Sequence, residues 1–429
     1  MVFSAFTVIS MPKIQEAVLG QCQKAKDASL KAALLTPEDR VRVLQAMATA
    51  IDEHRDDIKA ANEVDVEQAR EQGLSPPMID RLALDDKRIQ GMLDGLLDVA
   101  KLPDHLGELI GMRRRPNGLL IGRMVVPLGC IGIIYEARPN VTVDAAGICV
   151  KSGNTVVLRG GSEAFNSSKA LAGIIATAAE SAGFPEGGIQ FIDTVDREAV
   201  DVLLKARKYI DVLIPRGGAA FIEKVVASAQ VPVIETGAGN CHVYVDDLAD
   251  LDMAAAIVYN GKVQRPSVCN ATKKVLLHEA IADQFVAVAL SQLQDAGVEP
   301  LVHENATQLI PGARTMTEDE LYEEFLDMRL GFIIVKDMQE AIDHVNKYGS
   351  HHTEAIVTRD YQRAMAFINA VDAAAINWNA STRFTDGGEY GMGAEIGIST
   401  QKLHARGPMS VPELTTTKFV VLGTGQIRK

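Results

Sequence analysis

From residue 128 onward the chain alternates short apolar runs with stretches of helical length, and this rhythm constrains the fold more than any other feature. The apolar runs at 131–135, 155–158, 189–192, 212–214 and 231–234 read as strands, and the segments 141–151, 163–181, 197–207 and 219–229 read as helices. Such strand–helix–strand repetition needs crossover connections, and it predicts a parallel sheet covered by helices on both faces. A second α/β series runs from about 241 to 404, with strands at 273–277, 332–335 and 355–357. Two such units also suit the length, since 429 residues exceed one ordinary core.

The first hundred residues read as helices. Thr36-Pro37 looks like an N-cap followed by proline at the first helical position, with Val41, Leu44, Met47, Ala48 and Ile51 following at helical spacing. Ser75-Pro76-Pro77 breaks the pattern before another helix. Arg113-Arg114-Arg115 leads through Pro116-Asn117-Gly118 into LLIGRMVV, the pattern of a β-hairpin. The segment 416–422 is one more β-rich stretch, suited to pair with that hairpin or with a neighbouring subunit.

Composition narrows the function classes. A formal charge of −13 argues against a polyanionic nucleic acid as partner, though a local arginine cluster still suits a small anion. No apolar run has the length of a membrane span. The opening stretch MVFSAFTVIS lacks a basic leader and reads as an extended terminus, with Met11 as an alternative start. The cysteines at 22, 130, 149, 241 and 269 are scattered without a CxxC pair, which speaks against a zinc cage or a disulfide framework and for a reducing compartment.

Cys269 stands apart from the other four. It falls in the polar segment VQRPSVCNA, between a helical stretch ending near Lys262 and a strand beginning near Lys273, and short connecting loops often carry catalytic groups. A free thiol is only slightly ionised at neutral pH yet is intrinsically nucleophilic. Cys22, Cys130, Cys149 and Cys241 lie in apolar segments and read as core. Glu235 closes the apolar run 231–234 and precedes the turn TGAGN, where a carboxylate reaches a crevice. Arg159, Gly160, Gly161 and Ser162 follow the strand TVVL and open a helix, and Arg216, Gly217 and Gly218 repeat that layout after DVLIP. Glycine turns at helix starts suit phosphate, and Arg159 is placed to neutralise a cofactor phosphate or to hydrogen-bond a ribose. No GxGxxG fingerprint follows a strand, and GMGAEIG at 391–397 has the wrong spacing. His351-His352 is no metal pair, because adjacent side chains diverge and no further ligands cluster nearby.

Four separated motifs, IYEARPNVTVDAAG at 134–147, QRPSVCNA at 264–271, the spaced pattern from Val335 to Ile356 and NASTRFTDGGEYGMGAEIGIST at 379–400, resemble those of the aldehyde dehydrogenase superfamily. More narrowly they resemble its branch that reduces an acyl phosphate. The resemblance implies a Rossmann-type cofactor domain at 1–111 and 127–236, an α/β catalytic domain at 237–404, and a β-hairpin oligomerisation element with its tail at 112–126 and 405–429. It implies reduction of L-glutamyl 5-phosphate to the 5-semialdehyde by NADPH, through a Cys269 thioester, in proline biosynthesis in the cytoplasm. An ordinary NAD(P)-dependent aldehyde oxidation is the alternative. A homo-oligomer, dimer or tetramer, and association with the upstream glutamate kinase are the partners it implies.

The resemblance also suggests roles. The Cys269 backbone N–H, Asn140 and Arg138 are alternative oxyanion donors. Arg138, Arg265 and Arg383 are candidates for the substrate's phosphate and α-carboxylate, because guanidinium binds such oxyanions through two parallel hydrogen bonds. Glu324, in Glu323-Glu324-Phe325, matches the position that holds the nicotinamide ribose. Glu235 matches the glutamate that activates water in oxidising relatives, but TGAGN departs from their ELGG-type motif, so it stays a site residue without an assigned role.

Overall fold

The computed structural model describes residues 11–428, so the opening stretch read above as an extended terminus lies outside the described residues. The described residues form two compact units, the first comprising 11–235, 391–397 and 409–428, the second 236–390 and 398–408.

The first unit opens with the helices Met11–Ala32, Pro37–Glu53, Arg55–Glu71, Pro76–Leu82 and Asp86–Lys101. Thr36 caps the second through Asp39, whose side chain returns a bond to the Thr36 backbone. The four-stranded parallel sheet has the order Ile189–Phe191, Thr155–Arg159, Cys130–Tyr135, Val212–Arg216. Successive residues of a strand point to opposite faces. Cys130, Ile134, Val157 and Leu213 pack with Val18 and Cys22 of the first helix and with Leu203 and Val225. A fifth strand at 231–234 does not form. Val233 makes a single parallel bridge to Leu213. Pro232 has no N–H to carry the ladder back toward Val231, and Pro215 on the facing strand has none to give the Ile234 carbonyl, so the pairing is limited to that bridge and Glu235 does not end a strand.

A separate antiparallel sheet joins the hairpin strands Leu109–Arg114 and Leu120–Pro127 to Thr415–Leu422. The 416–422 stretch therefore pairs with the hairpin of its own chain. Gly118, at φ +89°, makes the turn.

The second unit is built on a seven-stranded parallel sheet in the order Arg314–Thr315, Glu299–Val302, Arg329–Val335, Thr272–His278, Cys241–Val245, Thr353–Val357, Ala375–Trp378. Val243, Val275, Phe332 and Ala355 bury one face against Ala254, Val258 and Phe285. Tyr244, Leu276, Ile333 and Ile356 bury the other against Val345 and Phe367. Sequence reading passed over the strands at 299–302, 314–315 and 375–378, which are short and lie at or next to the sheet edges. No helix among the described residues is long and apolar enough to cross a membrane.

Candidate active site

In the second unit the helix Leu251–Val263 gives way to the strand Thr272–His278, and the loop between them carries Cys269. Pro266 disfavours a helical conformation at Arg265 and so keeps the helix from running on. Cys269 is partly exposed, whereas Cys22, Cys130, Cys149 and Cys241 are all buried. Burial pushes the Cys22 and Cys130 thiols up to about 12, and it raises those of Cys149 and Cys241 further. These four thiols resist ionisation, as the core reading expects.

The backbone under Cys269 is tightly held. Lys273 Nζ donates to the carbonyl oxygens of Val268 and Cys269, at 2.8 Å each. Cys241 Sγ donates to the same Cys269 carbonyl at 3.2 Å. Gly239 lies so close that a Cβ built on it would stand 1.7 Å from the Cys269 carbonyl oxygen. Gly239 of TGAGN therefore gives the turn close access to the nucleophile's backbone. Glu324 accepts a hydrogen bond from the Gly239 N–H at 2.7 Å, and so braces that turn. Asn240 continues the brace, donating through Nδ2 to the carbonyls of Leu321 and Tyr348 at 2.8 Å. Lys274 Nζ reaches Asn240 Oδ1 and the Glu323 carbonyl. Deeper in the unit the His242 backbone and ring both meet Glu354 Oε2, at 2.7 and 3.1 Å. Burial raises the Glu354 carboxyl and lowers the His242 imidazole, so it favours the neutral form of each.

Arg383 is fastened on both sides of the Cys269 loop. Its Nε donates to Gln264 Oε1 at 2.9 Å, and its Nη1 to Asn270 Oδ1. Nη2 is left without a hydrogen-bond partner among the described residues. Partial burial disfavours the Arg383 cation, Asp386 and Cys269 favour it, and Arg265 opposes it. A negative ligand beside Cys269 would thus relieve a guanidinium that is partly stripped of water. Arg265 is exposed on the same loop.

In the first unit, three loops meet at the carboxyl end of the parallel sheet, where α/β folds bind ligands. They follow the strands Cys130–Tyr135, Thr155–Arg159 and Val212–Arg216, which neighbour one another. Glu136, which sequence reading did not single out, joins them. Its Oε2 accepts from the Gly218 N–H at 3.2 Å, and a Cβ on Gly217 would come within 2.7 Å of its carboxyl carbon. A Cβ on Gly161 would meet the Glu136 Cα at 3.2 Å. Gly218 caps the helix Ala219–Ser228 without a side-chain hydrogen bond and has open space beside it. Gly160 and Gly161 are buried in their turn, with exposed Ser162 beginning a short 3₁₀ turn. A dinucleotide fits this edge: glycine turns admit the backbone approach of a phosphate, and a carboxylate suits ribose hydroxyls.

Arg159 differs from the expectation of a phosphate-facing cation. It is 8 % exposed, and its nitrogens donate to the carbonyls of Gly160 at 2.8 Å and Val195 at 3.0 Å. Only Nε is buried without a partner. The side chain clamps the 195–196 loop to the glycine turn. Arg216 is partly buried at the end of its strand.

Asn140 opens the helix Asn140–Lys151 and donates to Asp144 Oδ2 at 2.9 Å. Arg138 is exposed in the preceding loop. Glu235 is partly buried at the point where the chain leaves the first unit. Glu136, Gly239, Asn240, Asn270 and Lys273 escaped sequence reading. The signal for Asn270 and Lys273 was their place beside Cys269; the others act through contacts remote along the chain.

The model of the aldehyde dehydrogenase family matches residues 7–323. The chain is 53 % identical to the gamma-glutamyl phosphate reductase of Halothermothrix orenii, over 97 % of this chain and 100 % of that one. It is 55 % identical to the protein of the same name from Moorella thermoacetica, over 95 % of this chain and 97 % of that one. The crystal structure of gamma-glutamyl phosphate reductase from Thermotoga maritima is similar with a TM-score of 0.93 and 45 % identity, covering 96 % of this chain and 100 % of that one.

Proposed function

The chain belongs to the aldehyde dehydrogenase family, and from that premise we propose that it reduces γ-glutamyl phosphate to glutamate 5-semialdehyde with release of phosphate, a step of proline biosynthesis. The observation that carries this reading is a partly exposed Cys269 on a braced loop, in a chain that is 53 % identical to a reductase of that name over nearly its whole length.

The Cys269 thiolate attacks the acyl carbon, and the carbonyl oxygen takes up the negative charge. The Cys269 N–H is a donor for that charge, with Asn140 and Arg138 as the side-chain candidates. The carbon–oxygen bond to phosphate breaks, leaving a thioester on Cys269. The family uses a nicotinamide cofactor, which supplies hydride when bound; NADPH is our assignment for this chain. Arg159, Gly160, Gly161, Ser162, Arg216, Gly217 and Gly218 form the edge that receives its phosphates and ribose, with Arg159 acting by holding the turn. The resulting thiohemiacetal collapses to the aldehyde and frees the thiolate. This route needs no attack by water, so it asks no base of Glu235. Arg383 and Arg265 take the substrate's phosphate and α-carboxylate, a task for which the free Nη2 of Arg383 is suited. Glu324 braces the Gly239 turn in addition to any contact with ribose.

The hairpin sheet leaves Ile110 and Phe419 exposed, and it serves as the contact of a homo-oligomer. A cytoplasmic location and association with the glutamate kinase that makes the labile acyl phosphate complete the proposal.

The test is steady-state oxidation of glutamate 5-semialdehyde with NADP and with NAD, phosphate being varied. Turnover that depends on phosphate or arsenate is expected, with NADP preferred. Equal turnover without either anion overturns the reading in favour of ordinary aldehyde oxidation.

A further inference from the structure

We infer that Lys273 is a positioning residue that aims the two peptide N–H groups flanking the Cys269 α-carbon. The inference rests on the reading of Cys269 as the nucleophile. Lys273 is fully buried, and its ammonium donates 2.8 Å bonds to the carbonyls of both Val268 and Cys269. Those carbonyls belong to the two successive peptide units on either side of the Cys269 α-carbon. A trans peptide is planar, with its C=O and N–H on opposite edges, and no cis peptide occurs among the described residues. Fixing the Val268 carbonyl therefore fixes the Cys269 N–H, and fixing the Cys269 carbonyl fixes the Asn270 N–H. Neither of these two N–H groups has a backbone acceptor among the described residues. Both carbonyls have further donors: the Ala271 N–H reaches Val268 at 3.2 Å, and Cys241 Sγ reaches Cys269 at 3.2 Å.

One ammonium thus holds both peptide planes of the nucleophile, with their N–H edges turned away from it. Donors held in place before reaction stabilise an oxyanion without reorganising, which is where such groups gain their catalytic effect. Lys262 supplies the contrast. It is equally buried, but its Nζ donates to the Phe325 carbonyl at 3.5 Å and, among the described residues, to no carbonyl of the Cys269 loop.

The test compares Lys273→Met with wild type in turnover and in alkylation of Cys269 by iodoacetamide. Alkylation displaces iodide at a saturated carbon and forms no oxyanion, so it reads the thiol without reading the N–H donors. The expected result is a fall in kcat of about 10²-fold, comparable to loss of an oxyanion donor, with KM and alkylation rate each within about threefold of wild type. Unchanged kcat in folded Lys273→Met overturns the inference. So does an alkylation rate that falls in step with kcat, which would put the effect on the thiol. Should the Met variant not accumulate as folded protein, Lys273→Gln, which loses the cation and can offer its carbonyl oxygen only as an acceptor, carries the same comparison with a smaller expected loss, and wild-type kcat there overturns the inference. Lys262→Met is expected to keep kcat; an equal loss there marks core damage and also overturns it. Full turnover by Cys269→Ala would instead remove the nucleophile reading itself, which separates the two failures.

Discussion

Gly239 lies against the peptide of Cys269 so closely that a Cβ at 239 would overlap its carbonyl carbon, at 2.4 Å, as well as its oxygen. The clash is with backbone, which cannot rotate aside. Gly239→Ala must therefore move either the TGAGN turn or the nucleophile loop. The expected cost is about 1–3 kcal/mol of stability, read by urea denaturation, as for other overpacked sites. Displacement of the loop by about 1 Å is expected to lower kcat about 10²-fold. A variant with wild-type kcat and stability would show that the close approach is not required.

Arg383 is held by Gln264 and Asn270, residues on either side of Cys269. Lysine has no fork with which to keep both bonds and still offer a nitrogen to an anion. Arg383→Lys is expected to raise KM for semialdehyde by about 10–100-fold, the worth of a charge-assisted hydrogen bond of about 1.5–3 kcal/mol. Initial-rate measurements check this, and kcat should fall by less than KM rises. An unchanged KM removes Arg383 from substrate binding.

Much of this layout was legible in the sequence because local patterns determine it. The strand–helix rhythm fixed two parallel sheets, and a polar loop between two apolar elements made Cys269 visible. The 231–234 run misled because its apolar character matched a strand while Pro232 and the facing Pro215 removed the donors the ladder needed on either side of the single bridge. For Arg159 the place after a strand was readable, but the Val195 carbonyl that its guanidinium meets comes from a distant loop. The convergence of Gly161 and Gly217 on Glu136, and of Gly239 on Cys269, depends on three-dimensional contacts with no local signature.

Asp144 supplies a pH test beside Asn140. Burial pushes its carboxyl up to about 6, and the Asn140 hydrogen bond pulls the other way. The folded state thus holds this proton more tightly than the unfolded chain does, whose value is that of an ordinary aspartate. The stability gained by protonation is fully present below about pH 4 and is lost as pH rises through about 6. Asp144→Asn removes the charge while keeping an acceptor for Asn140. It should raise the thermal midpoint at pH 7.5 and leave it nearly unchanged at pH 4. Equal effects at both pH values would mean that the Asp144 charge carries no folding penalty.

Lys262 makes the opposite kind of test, because it is a buried base. Burial lowers its ammonium to about 7, and the neighbouring cation of Lys273 pushes in the same direction. Between that value and the ordinary lysine value the unfolded chain carries a proton that the folded protein has lost. The unfolded state binds more protons there, so stability rises with pH across this window. One such proton corresponds to about 1.4 kcal/mol per pH unit. Methionine at 262 has no proton to exchange and fills a similar volume. Urea denaturation at pH 7.5 and pH 9 should therefore show Lys262→Met gaining less stability with pH than wild type, by about 1–2 kcal/mol over the interval. Parallel pH profiles for the two proteins would mean that Lys262 keeps its proton in the folded state.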